Sequence, residues 1–431
     1  LSPFAPLPTP HSPLPAMPPA PKKPDFNPFV PEFQENPYPI YQQLRQGDPV
    51  HRVRGFRFNQ WFLTRYEDVQ AVLNDGRFRV DDLPERLGEK AAHLKQGDFE
   101  PLRGTIQHWL FFLEPPDHTR LRSLVQKTFS AMRVELLRPL IQSLVDEQLD
   151  RVQSTGCIDI MADLAAPLPA LVSLALLGMP AADRQQLTEW AYVLFHVFDQ
   201  PLSLQDYQRI NQVAIAFRDY LERRIAALRQ QPEDHLMSRL IEACDRDQKI
   251  SEAELLGFIS MLFSVGQETT ENLIGNGMFA LLSHPQQLQQ LIRDLEREPG
   301  LIESAIEELL RYDSPVQIIS RTALAAVELG GQTIQAGDKV NLLLGAANRD
   351  PAKFQQPDAL DWRRKETSRL PFGSGIHYCL GAELARLQGQ IAIQTLVQRL
   401  PDLILDAKNV QRRKNIVLRG FKVLPVTFTV S

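Results

Sequence analysis

One long helix confines this chain more than any other feature. Ser251-Glu252-Ala253-Glu254 forms a capping box, with a serine at the N-cap and a glutamate three residues on. The spacing then predicts a helix to about residue 283, where Pro285 helps to end it. At 1.5 Å per residue it is roughly 50 Å long, enough to cross a whole domain. Leu255, Leu256, Ile259, Leu262 and Phe263 make it apolar, so it belongs at the centre. A chain of 431 residues can bury it and still enclose a sizeable cofactor.

The middle of that helix is odd. Val265-Gly266-Gln267-Glu268-Thr269-Thr270 puts a glycine, which costs ~1 kcal/mol against alanine in a helix, beside a carboxylate and two hydroxyls. Two readings stand side by side. In one the helix kinks, Thr269 bonds back to a carbonyl and Glu268 is solvated. In the other Gly266 lets a flat group approach the backbone while Glu268 and Thr269 handle protons in a dry pocket. Gly275-x-Gly277-x-x-Ala280 looks like a dinucleotide fingerprint, but no strand precedes it and it is set aside.

Elsewhere helical periodicity dominates: 40–45, 66–73, 120–130, 136–152, 168–177, 210–229, 302–311 and 383–400. Strand signals occur at 50–53 and 60–64, and return late at 323–334 around Gly330-Gly331, at 339–344 and at 417–430. The fold class is therefore mainly α with a small β region. Residues 1–24 carry ten prolines and read as an extended tail, and 25–431 as a single domain. A net charge of −5 gives no basic footprint for nucleic acid. Three cysteines (Cys157, Cys244, Cys379) exclude a disulfide scaffold and fit a reducing compartment, the cytoplasm. No uninterrupted apolar run reaches the ~18 residues of a membrane anchor.

On helix 302–311, Glu308 and Arg311 are three apart and share a face. Taken alone they read as a surface pair worth well under ~1 kcal/mol. The stretch Leu370 to Ala382, LPFGSGIHYCLGA, is more informative. Two glycines precede His377 and Cys379, Gly381 follows, and a helix begins. A cysteine at a helix N-terminus is expected to have a lowered thiol pKa. Zinc would need further ligands, a Gly-x-Ser-x-Gly elbow fails at Phe372, and His377 is poorly placed to activate a nucleophile. A thiolate donating to a metal in a flat macrocycle accounts for the glycines, the helix end and the single cysteine together.

At this point the sequence resembles the cytochrome P-450 superfamily, in its soluble bacterial form. Phe372-Gly373-x-Gly375-x-His377-x-Cys379-x-Gly381 fits the heme-thiolate loop, Glu308-x-x-Arg311 the ExxR pair, and Gly266-x-Glu268-Thr269-Thr270 the oxygen-activating segment. The likeness runs from about residue 25 to the C-terminus. It implies the cytochrome P-450 fold, with heme b between the long central helix and the cysteine-loop helix. Cys379 becomes the iron ligand, Phe372 its shield, and Gly266 and Gly381 the points of close approach. Glu268 and Thr269 become the catalytic acid–alcohol pair. His118, Arg122, Arg321 and His377 become partners of the heme propionates, and Glu308 with Arg311 a pair in the fold core. Two positions depart from the family pattern. Val265 stands where alanine is usual. Pro357-Asp358-Ala359-Leu360 lacks the arginine that would complete a triad with Glu308 and Arg311, a place Arg363 or Arg364 can take.

The implied activity is insertion of one oxygen atom of O₂ into an apolar organic substrate, such as a secondary metabolite, lipid or terpenoid. Electrons come from a ferredoxin or flavodoxin with its NAD(P)H-dependent reductase. The protein is expected to be a monomer, with Arg120, Lys127 and Arg133 as a basic docking patch. Expected pocket walls are 83–112, 192–202, Phe263, Gln267 and 315–319, with Trp109, Phe111, Phe112, Phe195, Phe198 and Ile318 pointing to an apolar ligand. A peroxide-driven peroxygenase and a non-catalytic heme carrier or gas sensor are the alternatives.

Overall fold

The computed structural model describes residues 26–54, 59–94, 99–126, 129–198, 202–246, 249–366, 368–400 and 402–430. The proline-rich segment 1–24 and Lys127 lie outside the described residues. The long helix is Glu252–Leu282, opened by the expected capping box: Ser251 Oγ accepts the Glu254 N–H and the Glu254 carboxylate accepts that of Ser251. It runs without a break through Gly266. It packs against helices Pro167–Leu177, Arg184–Phe195 and Ala382–Arg399, and most of its side chains are buried.

Helix Pro167–Leu177 is apolar all round, as a helix enclosed by others should be. It ends at Gly178, where φ is +69° and a Cβ would lie 1.9 Å from the His235 ring, so only glycine fits. The helical stretch Ile160–Leu177 is long and apolar enough to cross a membrane, an exception to the sequence expectation, but 67% of it is buried within the protein.

The main sheet has five strands in the order Val50–Arg54, Asn59–Leu63, Lys339–Leu343, Ile318–Ala323, Phe78–Val80. Only the pairing of Asn59–Leu63 with Lys339–Leu343 is parallel. The predicted hairpin around Gly330-Gly331 joins Val327–Leu329 to Gln332–Ile334. Both glycines take positive φ, the requirement of a type I′ turn. Near the C-terminus, Pro425–Thr427 pairs with Cys157–Asp159 on one side and Ile404–Leu405 on the other.

Glu308 and Arg311 on helix Leu301–Tyr312 have no exposed side-chain surface, so the surface reading fails. They make a bidentate pair at 2.7 and 2.8 Å. Arg311 also donates to the carbonyls of Asn348, Pro357 and Ala359, and Glu308 accepts the Asp361 N–H. Arg364 completes the cluster, its Nε 3.2 Å from Glu308 Oε1, whereas Arg363 turns outward to Asp294 and Glu298. Arg311→Ala would strand a buried carboxylate and should cost on the order of 3–5 kcal/mol. Arg364→Ala should cost about 1–3 kcal/mol and Arg363→Ala within ~0.5 kcal/mol. Denaturant midpoints of the three variants check this order.

Candidate active site

The cysteine loop is fixed from both ends. Leu370 N–H donates to Asn348 Oδ1 at 2.8 Å, and Cys379 N–H donates to the Phe372 carbonyl at 3.0 Å. Gly373 and Gly375 take φ of +72° and +73°. A Cβ on Gly375 would meet the Leu73 carbonyl oxygen at 2.8 Å, so this turn needs its glycine twice over. Gly381 caps helix Ala382–Arg399, which places the sulfur two residues before the cap. Burial pushes the Cys379 thiol up, against the Gly381 N–H, Arg122 and Arg386, which favour the thiolate. The lowering expected at a helix end is thus opposed by desolvation of the sulfur. An anionic sulfur here calls for a metal as its positive partner.

Cys379 faces a cavity of about 290 Å³. Phe372, His377 and Gly381 of the loop line it, as do Val265, Gly266 and Thr269 of the central helix. Thr269 Oγ donates to the Val265 carbonyl at 3.0 Å, so the back-bonding expected of a kink occurs in an unbroken helix. A Cβ on Gly266 would sit 3.5 Å from Ser173 Oγ, an ordinary contact, so packing within the protein does not demand glycine there.

Glu268 is not in that wall. It is buried beside Arg413, whose Nη1 lies 3.6 Å from Glu268 Oε1. The same guanidinium donates to Glu271 Oε1 at 2.6 Å, and the Tyr192 hydroxyl donates to Glu271 Oε2 at 2.5 Å. Burial raises the Glu271 carboxyl, with Arg413 and Tyr192 opposing. No local pattern in the sequence signals Tyr192, Glu271 or Arg413, because they come from three distant segments.

His118 and Arg122, on helix Asp117–Gln126, line the cavity together with His377. The two histidine rings lie 4.3 Å apart, and burial, then His377 and Arg122, pushes His118 down to about 4. Arg122 Nη2 donates to the Tyr378 carbonyl at 2.8 Å. Arg321 is buried on strand Ile318–Ala323 outside the cavity wall, donating to the Ser320 carbonyl near the Glu114 carboxylate. The buried Nε2 atoms of His118 and His377 have no hydrogen-bond partner, and His377 Nε2 is 4.0 Å from Glu114, beyond bonding reach. Unpartnered histidine nitrogens and Arg122, lining one cavity with the cysteine, fit a flat metal macrocycle with carboxylates.

Several expected wall residues stand elsewhere. Among the expected aromatics only Phe111 lines the cavity. Trp109, Phe112, Phe195 and Phe198 pack in a ring cluster around it, held partly by Trp109 Nε1 donating to Ser260 Oγ. Phe263 meets Phe217 edge to face, Ile318 lies in a separate core with Phe26, and Gln267 bonds its own helix. Pro315 and Val316 do reach the wall. Arg120 is engaged by Glu254 and Asp117, while Arg133 is exposed.

The family model for cytochrome P450, written here P-450, matches residues 18–418. The chain belongs to the cytochrome P-450 family. It is 37% identical over 411 residues, 94% of this chain and 98% of its relative, to the polyketide biosynthesis cytochrome P-450 PksS of Bacillus subtilis. It is 39% identical to the cytochrome P-450 monooxygenase PikC of Streptomyces venezuelae, covering 92% of each chain. Among solved structures it matches P-450BioI in complex with hexadec-9Z-enoic acid ligated acyl carrier protein, with a TM-score of 0.84, 36% identity and coverage of 92% of this chain and 99% of that one. The protein thus has the cytochrome P-450 fold, mainly helical with a small β region, and binds heme b through a cysteine thiolate. It is a monooxygenase that inserts one oxygen atom of O₂ into an apolar substrate with electrons from a separate redox partner.

The loop geometry makes a graded prediction. Gly373→Ala meets open space and costs only the strain of its φ, about 1–2 kcal/mol. Gly375→Ala adds a clash with the Leu73 backbone and should abolish most heme loading. Heme-to-protein absorbance ratios of the two purified variants check this.

Proposed function

We propose that Cys379 is the iron ligand of this cytochrome P-450 and that Thr269 faces the reacting oxygen. The observation that carries this reading is that Cys379 and Thr269 line one cavity. His118, Arg122, Arg321 and His377 hold the heme carboxylates, Phe372 covers the sulfur, and Gly266 and Gly381 leave room against the ring. Bound heme supplies the iron that receives electrons and activates dioxygen. Thr269 Oγ donates its proton to the Val265 carbonyl, so its lone pairs stay available to accept a hydrogen bond from the cavity. Glu268 relays a proton to that hydroxyl after turning from Arg413 toward the cavity and taking up the proton from water. Leu110, Phe111, Met261, Leu262 and Val316 line the remainder, excluding water and orienting a hydrocarbon near the Thr269 side.

The substrate we infer is a polyketide-derived secondary metabolite or a fatty acyl chain, by likeness to PksS, PikC and P-450BioI. The electron donor is a ferredoxin or flavodoxin with its reductase. We read residues 25–431 as one domain acting as a monomer, and the three free cysteines fit a reducing compartment, the cytoplasm.

Cys379→Ser should remove the thiolate carbon monoxide difference band, and an unchanged band refutes the ligand assignment. Thr269→Ala should keep that band but lower product formed per NAD(P)H consumed by roughly tenfold, about 1.4 kcal/mol. Unchanged coupling removes Thr269 from the proton path.

A further inference from the structure

Glu307 stands next to the buried Glu308 but faces the other way, toward the cysteine-loop helix. Its Oε1 accepts Arg386 Nε at 2.5 Å. Arg386 lies seven residues after Cys379 and is a junction of contacts. Its Nη1 donates to the Tyr378 hydroxyl at 3.0 Å and to Glu383 Oε1 at 2.7 Å. Its guanidinium carbon sits 4.6 Å from the centre of the Phe372 ring. Arg386 therefore holds the residue immediately before the cysteine and stacks on the ring whose carbonyl accepts the Cys379 N–H.

The charge arrangement is as telling as the contacts. Arg386 is about four-fifths buried, and Glu307 slightly less so. Arg369 approaches Glu307 only loosely, at 3.9 Å, and leaves its buried Nε without a partner. A cation with two carboxylate partners is thus built into the support of the ligand loop, one of them anchored on the helix that also carries the buried Glu308–Arg311 pair. Arg386 acts on the Cys379 thiol in favour of the thiolate, and a partly buried charge keeps more of its field than one in open solvent.

We propose that Arg386 and Glu307 form a positioning pair that sets how strongly the Cys379 sulfur donates charge, and hence the reduction potential of the bound heme. The proposal rests on the assignment of Cys379 as ligand. Arg386 draws charge from the sulfur and favours the reduced centre, and Glu307 limits that pull by neutralising Arg386. The two residues thus act in opposite senses although they touch each other.

The test is spectroelectrochemical titration of the purified holoenzyme and its variants, read beside the carbon monoxide difference band. Arg386→Gln should lower the potential and Glu307→Gln should raise it. Each should change the ferrous-to-ferric ratio at a fixed applied potential by about threefold to tenfold, tenfold being about 59 mV for one electron. Arg386→Lys should return most of the shift, because it restores the charge while losing the planar stack on Phe372. Shifts of the same sign, no shift in either variant, or loss of the thiolate band in both would overturn the proposal, since a merely structural brace gives those results. If Arg386→Gln does not take up heme, Glu307→Gln decides alone. An upward shift with the band intact upholds the pair, and any other result defeats it. If Cys379→Ser keeps its thiolate band the ligand assignment fails first, a result separate from these.

Discussion

Two ions with no exposed side-chain surface hold the scaffold together. Glu308 and Arg311 satisfy each other in a bidentate geometry, and Arg364 occupies what remains of the carboxylate. Their other bonds run to main-chain groups of Asn348, Pro357, Ala359 and Asp361, a stretch of irregular chain that no sheet or helix would otherwise order. Asn348 passes the constraint on, since its side chain accepts the Leu370 N–H at the start of the cysteine loop. Desolvating such a cluster is expensive, and its geometry repays the loss only when every partner is present. The position of the sulfur is thereby tied to the correct course of some twenty residues before it.

The elements that depend on local rules were readable from the sequence. A capping box, a helical period and a pair of glycines located the central helix and the Gly330-Gly331 hairpin, because caps and turns are decided by neighbours a few residues apart. Helix Leu204–Gln230 begins six residues before the periodic signal at 210, since its own capping box, Ser203 to Asp206, precedes the apolar stripe. Helices such as Leu236–Asp245 and Pro285–Arg297 were passed over. The latter has many glutamines around a narrow apolar stripe, Leu288, Leu291 and Leu295.

In the site the same division holds. The glycines of the cysteine loop announced close backbone approach, whereas the neighbours of Glu268 did not announce themselves. Arg413 comes from a segment about 145 residues away, and an arginine in the run Arg412-Arg413-Lys414 just after a short strand looks like any solvated charge until the fold delivers it. The choice between Arg363 and Arg364 was likewise beyond the sequence. Adjacent residues in irregular chain point in different directions, and only the backbone course shows which one meets Glu308. Phe112, Phe195 and Phe198 stand outside the wall for the opposite reason, since apolar rings serve a core as readily as a pocket.

The pairing of Pro425–Thr427 with Cys157–Asp159, together with the reach of Arg413 to Glu271, bears on how the chain comes to order during translation. The middle of the central helix carries a buried acid whose cation emerges from the ribosome long after the helix itself. At ~5–20 residues per second that interval is several seconds or more. Until then the Glu271 carboxyl lacks the cation it meets in the finished fold, so this part of the interior completes its pairing only when the distal segment arrives.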